Sequence, residues 1–138
     1  MATQKFDLSL RLRHPDADLK PISRSLGLGP GTCWTKGDAR LAPDGALIGG
    51  VRDSSYCSVQ LDASVGADLE SALVRSLQTI AAVQPELELL VSSGGMASIA
   101  IGWFADGDAG VRLADTIVAE MARLRLTVDF YLYLSTGV

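Results

Sequence analysis

The amino-acid sequence predicts one α+β domain over residues 1–138, with an extended, largely antiparallel sheet sheltered on one face by three helices. Three observations lead there. Segments with an apolar side chain at every second residue recur along the chain, the period of a half-buried strand. Between them lie stretches whose apolar residues fall three or four apart, the period of a helix with one core-facing stripe. The chain is also 48% apolar, enough in 138 residues to fill a sizeable core.

Phe6, Leu8, Leu10 and Leu12 alternate with Asp7, Ser9, Arg11 and Arg13, which predicts a strand with one charged face. His14-Pro15-Asp16 ends it, because proline cannot donate to the ladder, and leaves His14 in an exposed loop. Asp16 or Asp18 is placed to cap a short helix through Leu26, with Pro21 in its first turn and Ile22 and Leu26 as its stripe. Gly27 suits the left-handed position beyond it. Thr32 to Thr35, Ala46 to Ile48 and Tyr56 to Leu61 read as the strands of an antiparallel meander, interrupted at Pro43-Asp44-Gly45 and Gly49-Gly50.

A helix is predicted over 67–83, capped by Ser64 and striped by Leu69, Leu73, Leu77 and Ile80, with Pro85 barring its continuation. Leu87, Leu89 and Val91 alternate as a strand, which Ser92-Ser93-Gly94-Gly95 turns as a hairpin into Ile99, Ile101 and Trp103. Two buried strands account for the uncharged run 89–105 without a bilayer. Leu113, Ile117, Met121 and Leu124 then form a helical stripe, and Val128, Phe130, Leu132 and Leu134 alternate with Asp129, Tyr131 and Tyr133 in a last strand. Strand, Asp-bearing loop, helix and Leu-x-Leu exit occur twice, ending at Leu26-Gly27-Leu28 and Leu124-Arg125-Leu126, a weak internal duplication. Together the elements predict a ferredoxin-like sandwich with added strands.

Net charge is -4, spread along the chain, which lacks the basic footprint of a nucleic-acid binder and disfavours anionic membrane surfaces. The first residues hold no apolar segment of a signal peptide, and Cys33 and Cys57 stand alone in sequence. The expectation is a cytoplasmic protein with reduced, buried thiols, the alternative being a disulfide should the strands of Cys33 and Cys57 pair.

The pattern Phe6-x-Leu8, His14-Pro15-Asp16, Ile22-Ser23, Leu26-Gly27-Leu28, then Trp34 and Gly37 resembles a widespread bacterial family catalogued as domain of unknown function 4279. Gly110 to Tyr133 is similar to that family's C-terminal half, while Tyr56 stands where a tryptophan is expected. The family has no established activity, so the resemblance implies a fold and no catalytic residue. Some small α+β proteins of this type act as immunity proteins against bacterial toxins, which makes that role an alternative.

No catalytic constellation emerges from the motifs. His14 is the sole histidine, and one imidazole with scattered carboxylates does not make a metal site or, without GxSxG, a hydrolase triad. The glycines from Gly27 to Gly31 follow a helix rather than open one, the reverse of a phosphate loop. Asp106 to Gly110 resembles the start of a calcium loop, yet its twelfth position is Ile117. No cofactor or metal is expected.

What remains is a surface. With helices over the face of Leu8, Leu10, Ile99, Ile101, Phe130 and Leu132, the opposite face carries Asp7, Arg11, Arg13, Asp129, Tyr131 and Tyr133, extended by Tyr56, Ser58 and Gln60. Tyrosine and arginine offer large contact area with directional hydrogen bonds, as protein interfaces require. The sequence therefore predicts a non-enzymatic domain acting through a protein partner, including a homodimer. The alternative is a ligand-binding or catalytic cleft between sheet halves, lined by Asp7, Arg11, Asp129 and Tyr131.

Overall fold

The computed structural model describes residues 4–28, 30–62, 68–108 and 110–134. Strand β1 (Gln4–His14) lies at the centre of a five-stranded sheet. Helix α1 (Lys20–Ser25) follows it, then β2 (Pro30–Trp34), β3 (Ala39–Leu41), β4 (Leu47–Val51) and β5 (Ser55–Asp62). Helices α2 (Leu69–Ala81) and α3 (Gln84–Ser92) precede β6 (Met96–Ala105), α4 (Asp115–Arg123) and β7 (Leu126–Leu134). The sheet order is β2-β5-β1-β6-β7, antiparallel from β2 to β6 and parallel between β6 and β7, so the sheet is mixed. Of the sandwich expected from sequence, the α+β composition holds, with four helices rather than three.

The sheet buries one side. Leu8, Leu10 and Leu12 are fully buried, as are Ile99, Ile101, Cys57 and Val59, while Asp7 and Arg13 on the other pleat of β1 are exposed. In register, Leu10 stands between Val59 and Ile99, and Leu8 beside Ile101. The helices close this side with Ile22 from α1, Leu73, Leu77 and Ile80 from α2, Leu87 and Leu90 from α3, and Ile117 and Met121 from α4. Burying one leucine of this kind is worth about 2 kcal/mol.

The stretch after α2 corrects the sequence reading. Leu87, Leu89 and Val91 do not form a strand: Gln84–Ser92 is a helix, so 89–105 is a helix, turn and strand rather than a hairpin. The buried residues are Val83, Leu87 and Leu90, at helical spacing, whereas Leu89 is 69% exposed. Pro85 opens this helix within its first turn, where a missing N–H costs nothing, instead of only closing the one before. The turn into β6 is tight: Gly94 has φ +102°, and a Cβ on Gly95 would sit 2.7 Å from the carbonyl oxygens of Arg13 and Leu90. For α2, the cap is Asp68, whose side chain accepts from the Glu70 N–H; Ser64 lies outside the described residues.

The meander is also revised. β2 pairs directly with β5, and β3 and β4 form a separate two-stranded sheet inserted between them. Gly49 and Gly50, expected as an interruption, belong to β4 with φ +90° and +75°. At the base of the insert, the Arg52 carbonyl accepts from Gly37 N–H and Arg52 N–H donates to the Asp38 carbonyl, both at 2.8 Å.

Cys33 and Cys57, expected as separate thiols, are directly opposed on β2 and β5 and joined by a disulfide. The strands do pair, which is the condition under which a disulfide is geometrically conceivable; the expectation of reduced thiols rests on compartment rather than on geometry. Reducing compartments keep such pairs open, so a cytoplasmic setting and a closed Cys33–Cys57 bond exclude one another unless the bond is protected. Among the described residues, no helix is long and apolar enough to cross a membrane.

Candidate interaction surface

Asp7, Arg11, Arg13, Asp129, Tyr131 and Tyr133 all project from the helix-free face, because they occupy the pleat opposite the buried positions of β1 and β7. β6 separates the two strands and offers small side chains in the middle of this face: Ser98 opposite Arg11, Ala100 opposite Asp129, and Gly102 between Asp7 and Tyr131, with Met96 and Phe104 at its ends. Ser98 and Ala100 are nevertheless 4% and 2% exposed. Larger side chains from the flanking strands close over them.

The structure brings Arg11 and Tyr131 together across β6. One terminal guanidinium nitrogen of Arg11 donates to the Tyr131 hydroxyl at 2.9 Å, and the guanidinium carbon lies 4.9 Å from the ring centroid. The Nε of Arg11 is shielded and has no acceptor among the described residues. Arg13, two residues along β1, lies 5.1 Å over the Tyr56 ring. Tyr56 contacts Trp34 at 4.8 Å, and Arg52 lies 3.8 Å over Trp34. A pair of rings is thus flanked by a guanidinium at each end, running from β1 through β5 and β2 to the inserted hairpin, each exposed cation–ring pair worth about 0.5–1 kcal/mol. Among the described residues, none of these three arginines reaches a carboxylate.

The other predicted residues are placed less centrally. Asp7 accepts a hydrogen bond from the Gln60 amide, which also donates to the Leu8 carbonyl at 3.0 Å. Tyr133 stacks on Phe104, centroids 4.7 Å apart with 13° between planes. Asp129 is half-buried beside Ala100. Asp7, Arg11, Asp129 and Tyr131 stand on one continuous hydrogen-bonded layer of β1, β6 and β7.

Sequence reasoning missed Trp34, Arg52 and Phe104. Phe104 was recoverable, since it alternates with Trp103 and so belongs to the polar pleat. Trp34 and Arg52 were not, because only the β2–β5 pairing brings them to Tyr56.

His14 is likewise corrected. It is the last residue of β1 and 7% exposed, not a loop residue in solvent. Its Nε2 lies 2.9 Å from Ser93 Oγ, and Asp16 Oδ1 lies 3.2 Å from its Nδ1, the outline of a serine-histidine-aspartate array. The hydrogen bonds assign it another role. Nδ1 accepts from the backbone N–H of Asp16 and Ala17, so the proton sits on Nε2 and is donated to Ser93. Ser93 in turn donates to the Leu89 carbonyl at 2.7 Å. An imidazole that already donates to the serine is not positioned as its base; it ties the end of β1 to the end of α3.

The fold and this face together define an α+β domain with one helix-covered sheet whose free side is paved with arginine and aromatic side chains. The chain belongs to the family described as Domain of unknown function (DUF4279), whose model matches residues 4–135. No curated protein and no solved structure matches the chain in the same comparisons.

Proposed function

We propose that this domain works by protein–protein contact through the open face of its sheet, centred on Arg11 and Tyr131. One observation carries the reading: three guanidinium groups on that face are held by aromatic rings and, among the described residues, carry no carboxylate partner of their own. Rings hold an arginine in place without neutralising it, so the charge stays available to an acidic group on a partner. Arginine and tyrosine in such an arrangement are the residues that dominate binding energy where proteins meet. Ligand-binding, catalytic and toxin-immunity roles have no comparable observation behind them.

The test is capture from a lysate of the native cell with the wild-type chain and with the Arg11→Ala, Arg13→Ala double variant, both verified as folded by circular dichroism. A partner retained by the wild type and lost by the variant is the expected result. Identical capture profiles would remove the proposal.

A further inference from the structure

We infer that the free edge of β7 pairs with the same edge of a second copy, antiparallel, about a two-fold axis at Tyr131. This rests on the reading of the sheet as an interaction surface and names one partner, the chain itself.

Strand β7 ends the sheet, and its one described neighbour is β6. Proteins ordinarily blunt such an edge with lysine, proline, a bulge or a very short strand. β7 has none of these. It runs nine residues in unbroken register with β6, from Leu126 opposite Ala97 to Leu134 opposite Ala105, and its single charge is Asp129. Its first half is sheltered, with Leu126 and Val128 packed against the core. Its second half is open on both pleats: Phe130, Leu132 and Leu134 are 46%, 53% and 65% exposed, and Tyr131 and Tyr133 are 38% and 51% exposed.

Size and charge both point to a second copy. Five half-exposed side chains of this kind leave at most roughly 500 Å² per copy to bury, hence up to about 1,000 Å² in a symmetric pair, which brings it to the lower bound of a specific interface. With Tyr131 on the axis, Phe130 opposes Leu132 and Val128 opposes Leu134, so apolar meets apolar on the helix side. On the open side each Asp129 opposes a Tyr133 phenol, and the two carboxylates do not face one another. Each Tyr131 meets its counterpart while tied to its own Arg11. The backbone groups along both edges are satisfied in the same step. A symmetric pair of this kind is isologous and closes on itself. It turns two five-stranded sheets into one, with both Arg11–Tyr131 pairs beside the axis on a single open face.

The experiment is sedimentation of the full chain over a range of concentrations, with circular dichroism for each variant. The wild type should sediment as a dimer. The Phe130→Lys, Leu132→Lys double variant places lysine opposite lysine twice and should weaken association about a hundredfold with an unchanged spectrum. The Arg11→Ala, Arg13→Ala variant should remain dimeric. Should the lysine variant not fold, Tyr131→Cys decides: mild oxidation should give a covalent dimer, since opposed residues in an antiparallel pair come within disulfide reach, whereas Asp7→Cys should not. A monomeric wild type overturns the edge pairing and leaves the open-face proposal standing. A dimer broken by the arginine variant but not by the lysine variant, or cross-linked equally at both cysteine positions, also overturns it.

Discussion

Gly27 and Arg125 hold the same backbone conformation, φ +71° and +62°, each one residue beyond the C-cap of a helix that returns the chain to the sheet. They are the central residues of the two Leu-x-Leu exits, Leu26-Gly27-Leu28 and Leu124-Arg125-Leu126. Glycine adopts this left-handed geometry freely, and an L side chain pays about 1–2 kcal/mol for it. Arg125 is the only non-glycine among the described residues to do so.

Arg125→Gly is therefore expected to stabilise the domain by about 0.5–1 kcal/mol, as measured by urea unfolding, since glycine gives back part of the strain as unfolded-state entropy. The loss of the exposed Arg125–Glu88 contact, 3.9 Å long, offsets little of this. Gly27→Ala should move stability the other way by about 1 kcal/mol.

Gly95→Ala should be among the most damaging small substitutions in the chain. The new methyl group meets two backbone oxygens and a leucine Cδ1 at 2.7 Å, and the Gly95 N–H is already committed to the Leu90 carbonyl at 2.8 Å. A loss of about 2–3 kcal/mol in denaturant unfolding is expected, because backbone on both sides must shift.

His14→Ala strips the acceptor from the Asp16 and Ala17 N–H groups and the donor from Ser93, and leaves a cavity at the end of β1. The expected cost is about 2–4 kcal/mol, against about 1 kcal/mol for Ser93→Ala, which removes one partner near the surface. Equal and negligible effects on unfolding would show that the two residues do not join β1 to α3.

Reduction of Cys33–Cys57 releases a loop closed over a sequence separation of 24, which should lower stability by about 3 kcal/mol. A thermal melt with and without reductant reads it directly. Cys33→Ser should match the reduced wild type and lose all sensitivity to reductant.

Period-two and period-three-to-four patterns identified β1, β5, β6, α2 and α4, because each of these elements presents one face to the core and the apolar spacing records that face. In β7 the same period found the strand but not its burial: only Leu126 and Val128 pack against the core, and Phe130 and Leu132, expected under the helices, are 46% and 53% exposed. The same logic misassigned Gln84–Ser92, where Glu86, Glu88, Leu87, Leu89 and Val91 happen to alternate. Packing chose Leu87 and Leu90, and Leu89 was left in solvent. The candidate face was legible for the same reason as the core: whatever alternates with Leu8, Leu10 and Leu12 must stand on the other pleat.

The residues of one strand thus determined, unaided, which side chains are sheltered and which are not. Which strands become neighbours was decided only in three dimensions, since pairing joins segments far apart in the chain. That step placed Cys33 against Cys57, Trp34 against Tyr56 and Arg11 within reach of Tyr131, and it left β7 at the rim. Local periodicity reports burial, but hydrogen-bonded register is a property of two segments at once, and neither carries it alone.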